Sequence, residues 1–318
     1  MSTSKVKPST AANYVYGRTY FSDAYIADTL NHAGIANYVS HATTLSCYGL
    51  APMSEHAEIV VPDNLLSQAY DALRRARFKR CDDKDKCLEK CPKGSRPKPS
   101  IHLHFRKGEG RVDLFKHSTH FKFMPEPTVR QPEDGDRNYM LLSDNRLPAL
   151  DDYPFAPLIT SLPQFESPAD RTCGRRLPFF GPVQIPKVDR SVSAWGYEFY
   201  QVAKNLAKIE ASLRRCKDEG VKRSLEKKHD AGMNDAWCWF VYINSIAWLY
   251  RHHQNESIKG YPLSWNQLLR DVDQRLVPWL DNWTRDYLMR GEDDNERFKR
   301  CLEDTKSLAW EQRVHRPS

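Results

Sequence analysis

The sequence predicts an α+β fold: a mixed sheet with helices in the N-terminal third, a proline-rich connection, and an α-helical C-terminal unit. Three observations lead there. Runs around residues 58–61, 101–105 and 111–115 are β-branched or alternate apolar with polar, as strands do. Helical periodicity interleaves with them and takes over after residue 195. Between the two parts, eleven prolines fall within residues 125–190, which reads as an extended connection with short local elements.

The elements follow in order. Residues 1–20 are polar and read as a flexible N-terminal arm. Ser22 suits the N-cap of a helix whose apolar face is Tyr25, Ile26, Leu30 and Ile35, with Gly34 as its stop. Residues 36–41 suit a short strand, and residues 42–48 a helix ended by Gly49. The strand at 58–61 is closed by Pro62, and Asp63 suits the N-cap of a helix over 64–78. Leu65, Leu66, Ala69, Leu73 and Ala76 form the face of that helix, and the basic run Arg74 to Arg80 suits its C-terminal dipole.

Residues 81–100 read as a loop, and the strands at 101–105 and 111–115 as a hairpin turning at Gly108 and Gly110. In the C-terminal part, Phe199, Val202, Leu206, Ile209 and Leu213 share one helix face, and residues 236–250 suit a buried helix. One or two further helices are expected over 265–283, broken near Pro278. The units are therefore 1–20, 21–124, 125–190 and 191–318.

Composition bounds the function. The chain has 318 residues, is 40% hydrophobic and carries a formal charge of +7, so it can bury a core and accept an anionic partner. No run of about 20 apolar residues suits a membrane span. No apolar stretch follows the charge at the N-terminus as in a secretory signal, so a cytoplasmic location is expected, with the eight cysteines as thiols or metal ligands. The sequence contains no phosphate-binding P-loop, dinucleotide fingerprint or Gly-x-Ser-x-Gly elbow, which disfavours ATPase, dehydrogenase and serine hydrolase chemistry.

The candidate catalytic residues are Glu55, His56, Glu58 and Asp113. Carboxylates on neighbouring strands can hold Mg²⁺ between triphosphate oxygens, and alternation points Asp113 away from Val112 and Leu114 so that it can converge with Glu58. Solvated strand-end acids are the plainer interpretation. Cys81, Cys87 and Cys91 precede His102 and His104, but the spacing is not that of a standard finger, and two histidines on one strand face suit a single metal only if the loop wraps over them. Free or loop-bound thiols are therefore expected, and Zn²⁺ is not.

Residues 204–229 hold nine Lys/Arg, among which Lys204, Lys208, Arg215, Lys222 and Lys227 could form an RNA-binding stripe along one long helix, or a solvated face. The tryptophans from Trp237 to Trp283 could stack bases, although a Trp-filled helical core is the commoner arrangement.

The segments Ala33 to Tyr38, Leu45 to Gly49, Glu58 to Asp63 with the helix after it, Cys81 to Cys91, and the two hairpin strands together resemble the nucleotidyltransferase-like fold. More narrowly, they resemble a group of fungal proteins of that fold. The resemblance covers about the first 120 residues. It implies a phosphate-cradling glycine pair where this chain has Ser40, His41, Ala42 and Thr43, and an acid-apolar-acid triplet where it has His56, Ala57 and Glu58.

A looser resemblance is to arginine-containing cyclodipeptide synthases, whose Asp-Asp-x-x-Glu motif is matched best by Ser54, Glu55 and Glu58. It implies aminoacyl-tRNA as substrate, and chemistry that needs a base and carboxylates to hold a guanidinium; Glu55, Glu58 and Asp113 are candidates for either task, and His56 could be the base. Three functions follow as expectations: such a tRNA-dependent synthase in secondary metabolism, a catalytically degenerate binding or regulatory protein, and a Mg²⁺-dependent nucleotidyltransferase.

Overall fold

The structure is a computed structural model that describes residues 22–48, 56–82, 87, 97–106, 110–121, 124–144, 147, 182–252, 268, 270, 272 and 294–307. The N-terminal part begins with α1 (Ser22–His32), β1 (Tyr38–Val39) and α2 (His41–Cys47). There follow β2 (Ala57–Val61), α3 (Leu66–Arg75), β3 (Lys79–Arg80), β4 (Ile101–His104), β5 (Arg111–Lys116) and a single turn, α4 (His117–His120). The strands form one mixed sheet in the order β1-β2-β5-β4-β3. Within it only β2 and β5 pair in parallel, at the centre.

This is an α+β arrangement, with the helix-strand alternation the sequence predicts. Gly34, at φ 71°, takes the left-handed conformation that ends α1, and the Ile35 N–H closes back on the Leu30 carbonyl. Two local expectations change. Asp63 does not cap α3: it opens a 3₁₀ turn over Asp63–Leu65, and its carboxylate instead accepts the Ser118 N–H and hydroxyl. The basic run after α3 does not all belong to a helix end, because Lys79 and Arg80 form the edge strand β3.

Alternation gives the sheet two unlike faces. One carries Ile59, Leu103, Phe105, Val112 and Leu114, all buried, with α1 and α3 packed on it; Phe78 bridges Tyr25 to Phe105. The other carries Glu58, His102, His104, Arg111, Asp113 and Phe115, and is met by α2 and by the helices that follow.

The proline-rich segment contributes a two-stranded ladder, β6 (Tyr139–Leu141) with β7 (Gln184–Pro186). Helix α5 (Val188–Arg215) starts within that segment, earlier than residue 195, because Val188, Val192 and Trp195 already belong to its buried face. It is followed by α6 (Glu219–His252) and α7 (Asp294–Ser307). Helices α5 and α6 form an antiparallel hairpin in which Gly232 permits close approach: a Cβ there would stand 2.9 Å from Leu206 Cδ2. Phe298 of α7 meets Phe199, Trp237 and Phe240 edge to face.

One contiguous apolar core runs from α1 through the sheet to α7. Tyr48, just after α2, ties the N-terminal part to β7 and α5: the hydroxyl donates to the Pro186 carbonyl at 2.6 Å and lies 3.2 Å from Ser191 Oγ. Tyr48→Phe leaves a buried carbonyl without this donor and is expected to cost about 1–3 kcal/mol, read from the midpoint of urea unfolding. None of the helices among the described residues is long and apolar enough to cross a membrane.

Candidate functional site

The polar face of the sheet is built in two rows. Register places Glu58 beside Asp113 and Asp113 beside His102. The preceding row is His56, Arg111 and His104, with Arg111 directly opposite His104. Glu58 and Asp113 therefore do converge, on adjacent parallel strands about 4.8 Å apart. Neither is a solvated strand-end acid, since both are buried in the sheet.

Each of these groups has an internal partner. Arg111 lies two residues before Asp113 on the same strand face and grips it bidentately, Nε to Oδ1 and Nη2 to Oδ2, both at 3.2 Å. The side chains of this pair are only 4% and 1% exposed. Glu58 Oε2 accepts the Thr43 N–H at 3.0 Å, within the first turn of α2. His56 Nδ1 accepts the Arg111 N–H at 3.3 Å, which puts the proton of a neutral imidazole on Nε2. Glu55 lies outside the described residues.

His41 lies in the stretch Ser40 to Thr43, where the resemblance implies a glycine pair, and it carries φ 52°, the left-handed conformation a glycine would take freely. Its imidazole is fully buried. It packs within 4.7 Å of Phe115, 5.0 Å of His120 and 5.5 Å of Trp239, ring centre to ring centre. Burial, and then the neighbouring His120, hold His41 well below the usual imidazole range. Burial alone brings His120 down to about 4, outweighing a Glu198 carboxylate 3.9 Å away.

Mg²⁺ does not fit this set. A hard cation wants several oxygens, and here one acid of the triplet is His56, Asp113 is neutralised by Arg111, and Glu58 serves an amide.

A second constellation stands beside the first. Cys81, Cys87, His102 and His104 each offer a ligand atom, and these four atoms all lie within 4.8 Å of one another. Cys87 Sγ is 3.3 Å from His104 Nε2. Thiols do therefore stand over the two strand histidines. Cys91 lies outside the described residues. Burial pushes the Cys87 thiol up, and burial with Arg111 and Lys79 nearby holds His104 down. Arg111 links the two constellations, because its Nη1 also donates to the Cys87 carbonyl at 3.4 Å.

The expected basic stripe is divided between two helices. The chain turns at Cys216 to Asp218, where the Asp218 carboxylate caps α6 by accepting the Val221 N–H. Lys204, Lys208 and Arg215 lie on α5, and Lys222 and Lys227 on α6. Lys204 donates to the Lys306 carbonyl and lies over the Tyr200 ring, and Lys222 pairs with Glu219. Lys208, Arg215 and Lys227 are exposed, and so are Arg214, Lys217, Arg223 and Lys228, which a stripe at helical spacing does not include but which the turn gathers. Of the tryptophans, Trp195 and Trp239 are core residues and Trp237 stacks on Phe240. Trp265, Trp279 and Trp283 lie outside the described residues.

Comparison with protein-family models, curated proteins and solved structures finds no match to this chain.

Proposed function

We propose that this chain is a catalytically degenerate binding or regulatory protein on a nucleotidyltransferase-like scaffold. The observation that carries the reading is the bidentate grip of Arg111 on Asp113. A metal-dependent transferase needs that carboxylate for a cation, and a synthase acting on arginine needs carboxylates for a substrate guanidinium. Here the carboxylate already holds a guanidinium of its own chain. The Glu58–Thr43 bond supports the same reading, because it commits an oxygen of the second carboxylate to a backbone amide.

Among the described residues, a surface open to a partner is the basic turn between α5 and α6 and the start of α6, with Arg214, Arg215, Lys217, Arg223, Lys227 and Lys228 exposed. An RNA backbone, that of aminoacyl-tRNA included, is the partner we propose for it.

Three measurements test the reading. Calorimetry with Mg²⁺ and ATP is expected to show no binding heat, and a host expressing Glu58→Gln is expected to contain the same small molecules as one expressing the wild type. A product that appears only with wild-type Glu58 would overturn the assignment in favour of an aminoacyl-transferring enzyme. Fluorescence anisotropy with bulk tRNA is expected to show binding that weakens with salt. The log–log slope is expected to fall by roughly one for each phosphate that Arg215→Glu or Arg223→Glu no longer neutralises. Binding unchanged by both substitutions would move the interface elsewhere.

A further inference from the structure

We propose that Cys81, Cys87, His102 and His104 form a structural Zn²⁺ centre that fastens Cys87 to the sheet. Geometry carries the proposal. The antiparallel register sets Arg80 against Leu103, so the next residue, Cys81, falls beside His102 on the polar face. His102 and His104, two residues apart on β4, share that face, with ring centres 5.3 Å apart and planes at 78°. Cys87 completes the set from the loop.

Bond lengths of about 2.3 Å to sulfur and about 2.0–2.1 Å to nitrogen put tetrahedral ligand atoms roughly 3.3–3.8 Å apart. The Cys87–His104 separation of 3.3 Å is already there, and the outer limit of 4.8 Å for the set closes by small side-chain rotations.

The chemistry of the donors selects the ion. Two thiolates and two imidazoles suit Zn²⁺, whereas Mg²⁺ and Ca²⁺ require oxygen. On binding, each thiol gives its proton to solvent and each imidazole donates a nitrogen lone pair, so the two thiolates balance the charge of the ion. Four protein ligands leave no open position, which marks a structural centre rather than a hydrolytic one. Cys81 and Cys87 are both in the thiol form, with no disulfide to another described cysteine. Arg111 reaches the ligand loop through the Cys87 carbonyl and supplies the outer support that metal sites commonly have.

The test uses the full chain, expressed with zinc present and purified under reducing conditions. Elemental analysis by mass spectrometry is expected to find one zinc per chain, and exchange for cobalt to give the visible bands of a tetrahedral thiolate site. Cys87 and His104 are only half-buried, so Cys87→Ser and His104→Gln are the variants least prone to misfolding. Both are expected to fall to near-zero zinc with circular dichroism retained, while Cys216→Ser and Cys91→Ser keep the metal. Should either site variant fail to fold, thiol modification of the wild type is read instead, and zinc release is expected to track loss of two thiols. Wild-type chain without zinc, zinc unchanged in Cys87→Ser, a Cys81–Cys87 disulfide in the reduced preparation, or zinc lost in Cys91→Ser would each overturn the four-ligand assignment. The proposal stands apart from the RNA reading, because metal content does not depend on any partner.

Discussion

Arg111→Met is expected to destabilise the fold by about 3–5 kcal/mol, because it leaves the Asp113 carboxylate buried beside Glu58 without its cation. The size follows from burial. In an exposed pair, solvent would take over the role of the lost partner and the change would be small. The companion experiment is the double substitution Arg111→Met with Asp113→Leu. It removes both charges and is expected to recover most of the loss, since an apolar replacement of a buried pair is commonly neutral or better. Urea titrations of the wild type, both single variants and the double variant give the coupling energy directly. Single effects that simply add would show that the two groups do not act on each other, and the proposed function would lose its main support.

Acid is expected to unfold the protein through the aromatic cluster around His41 and His120. In the folded chain His120 titrates at about 4 because it is buried, against about 6.5 in an unfolded one. Between those values the unfolded chain binds the additional proton, so stability rises with pH across this window and falls as pH is lowered from about 6.5 toward 4. A shift of that size is worth on the order of 3 kcal/mol when fully expressed. His41 acts in the same direction, as its pKa is also lowered by burial. The measurement is unfolding free energy against pH for the wild type and for His120→Phe, whose ring matches the neighbouring Phe115 and Trp239. The variant is expected to show a shallower slope between pH 6.5 and 4. Parallel curves would mean that His120 is already protonated, and paired with Glu198, in the native state.

Much of the fold is legible in the sequence because its signals are local. Three β-branched residues in β2, the alternation in β4 and β5, and the apolar face of α3 each declare one element. What is not legible depends on pairing or on a weak punctuation mark. Strand β3 is two charged, exposed residues with no pattern of their own, and only its ladder with β4 makes it a strand. The break between α5 and α6 lies inside a charged run, and its local marks are only Asp218, a capping residue, and Gly220 just after it.

The site divides in the same way. Convergence of Glu58 and Asp113 follows from alternation. So does the place of Arg111 on the face of Asp113, a two-residue spacing that a pattern of acids alone does not reveal. The Cys–His set needs the register of β3 against β4 before Cys81 can be seen to stand beside His102, and no spacing rule supplies that register.

The bond from the Tyr48 hydroxyl to the Pro186 carbonyl spans 138 residues of chain. Its consequence lies in the order of synthesis. When the ribosome has made the whole N-terminal sheet, some residues that complete the cover of its polar side, Trp239 and Tyr242 beside His41 among them, have not yet been translated. At an elongation rate of about 5–20 residues per second, the nascent sheet waits without the Tyr139 ring that meets Tyr38 and the Trp239 and Tyr242 rings that meet His41. A protein severed after residue 124 would lack those three partners altogether and is expected to expose more apolar surface than the full chain.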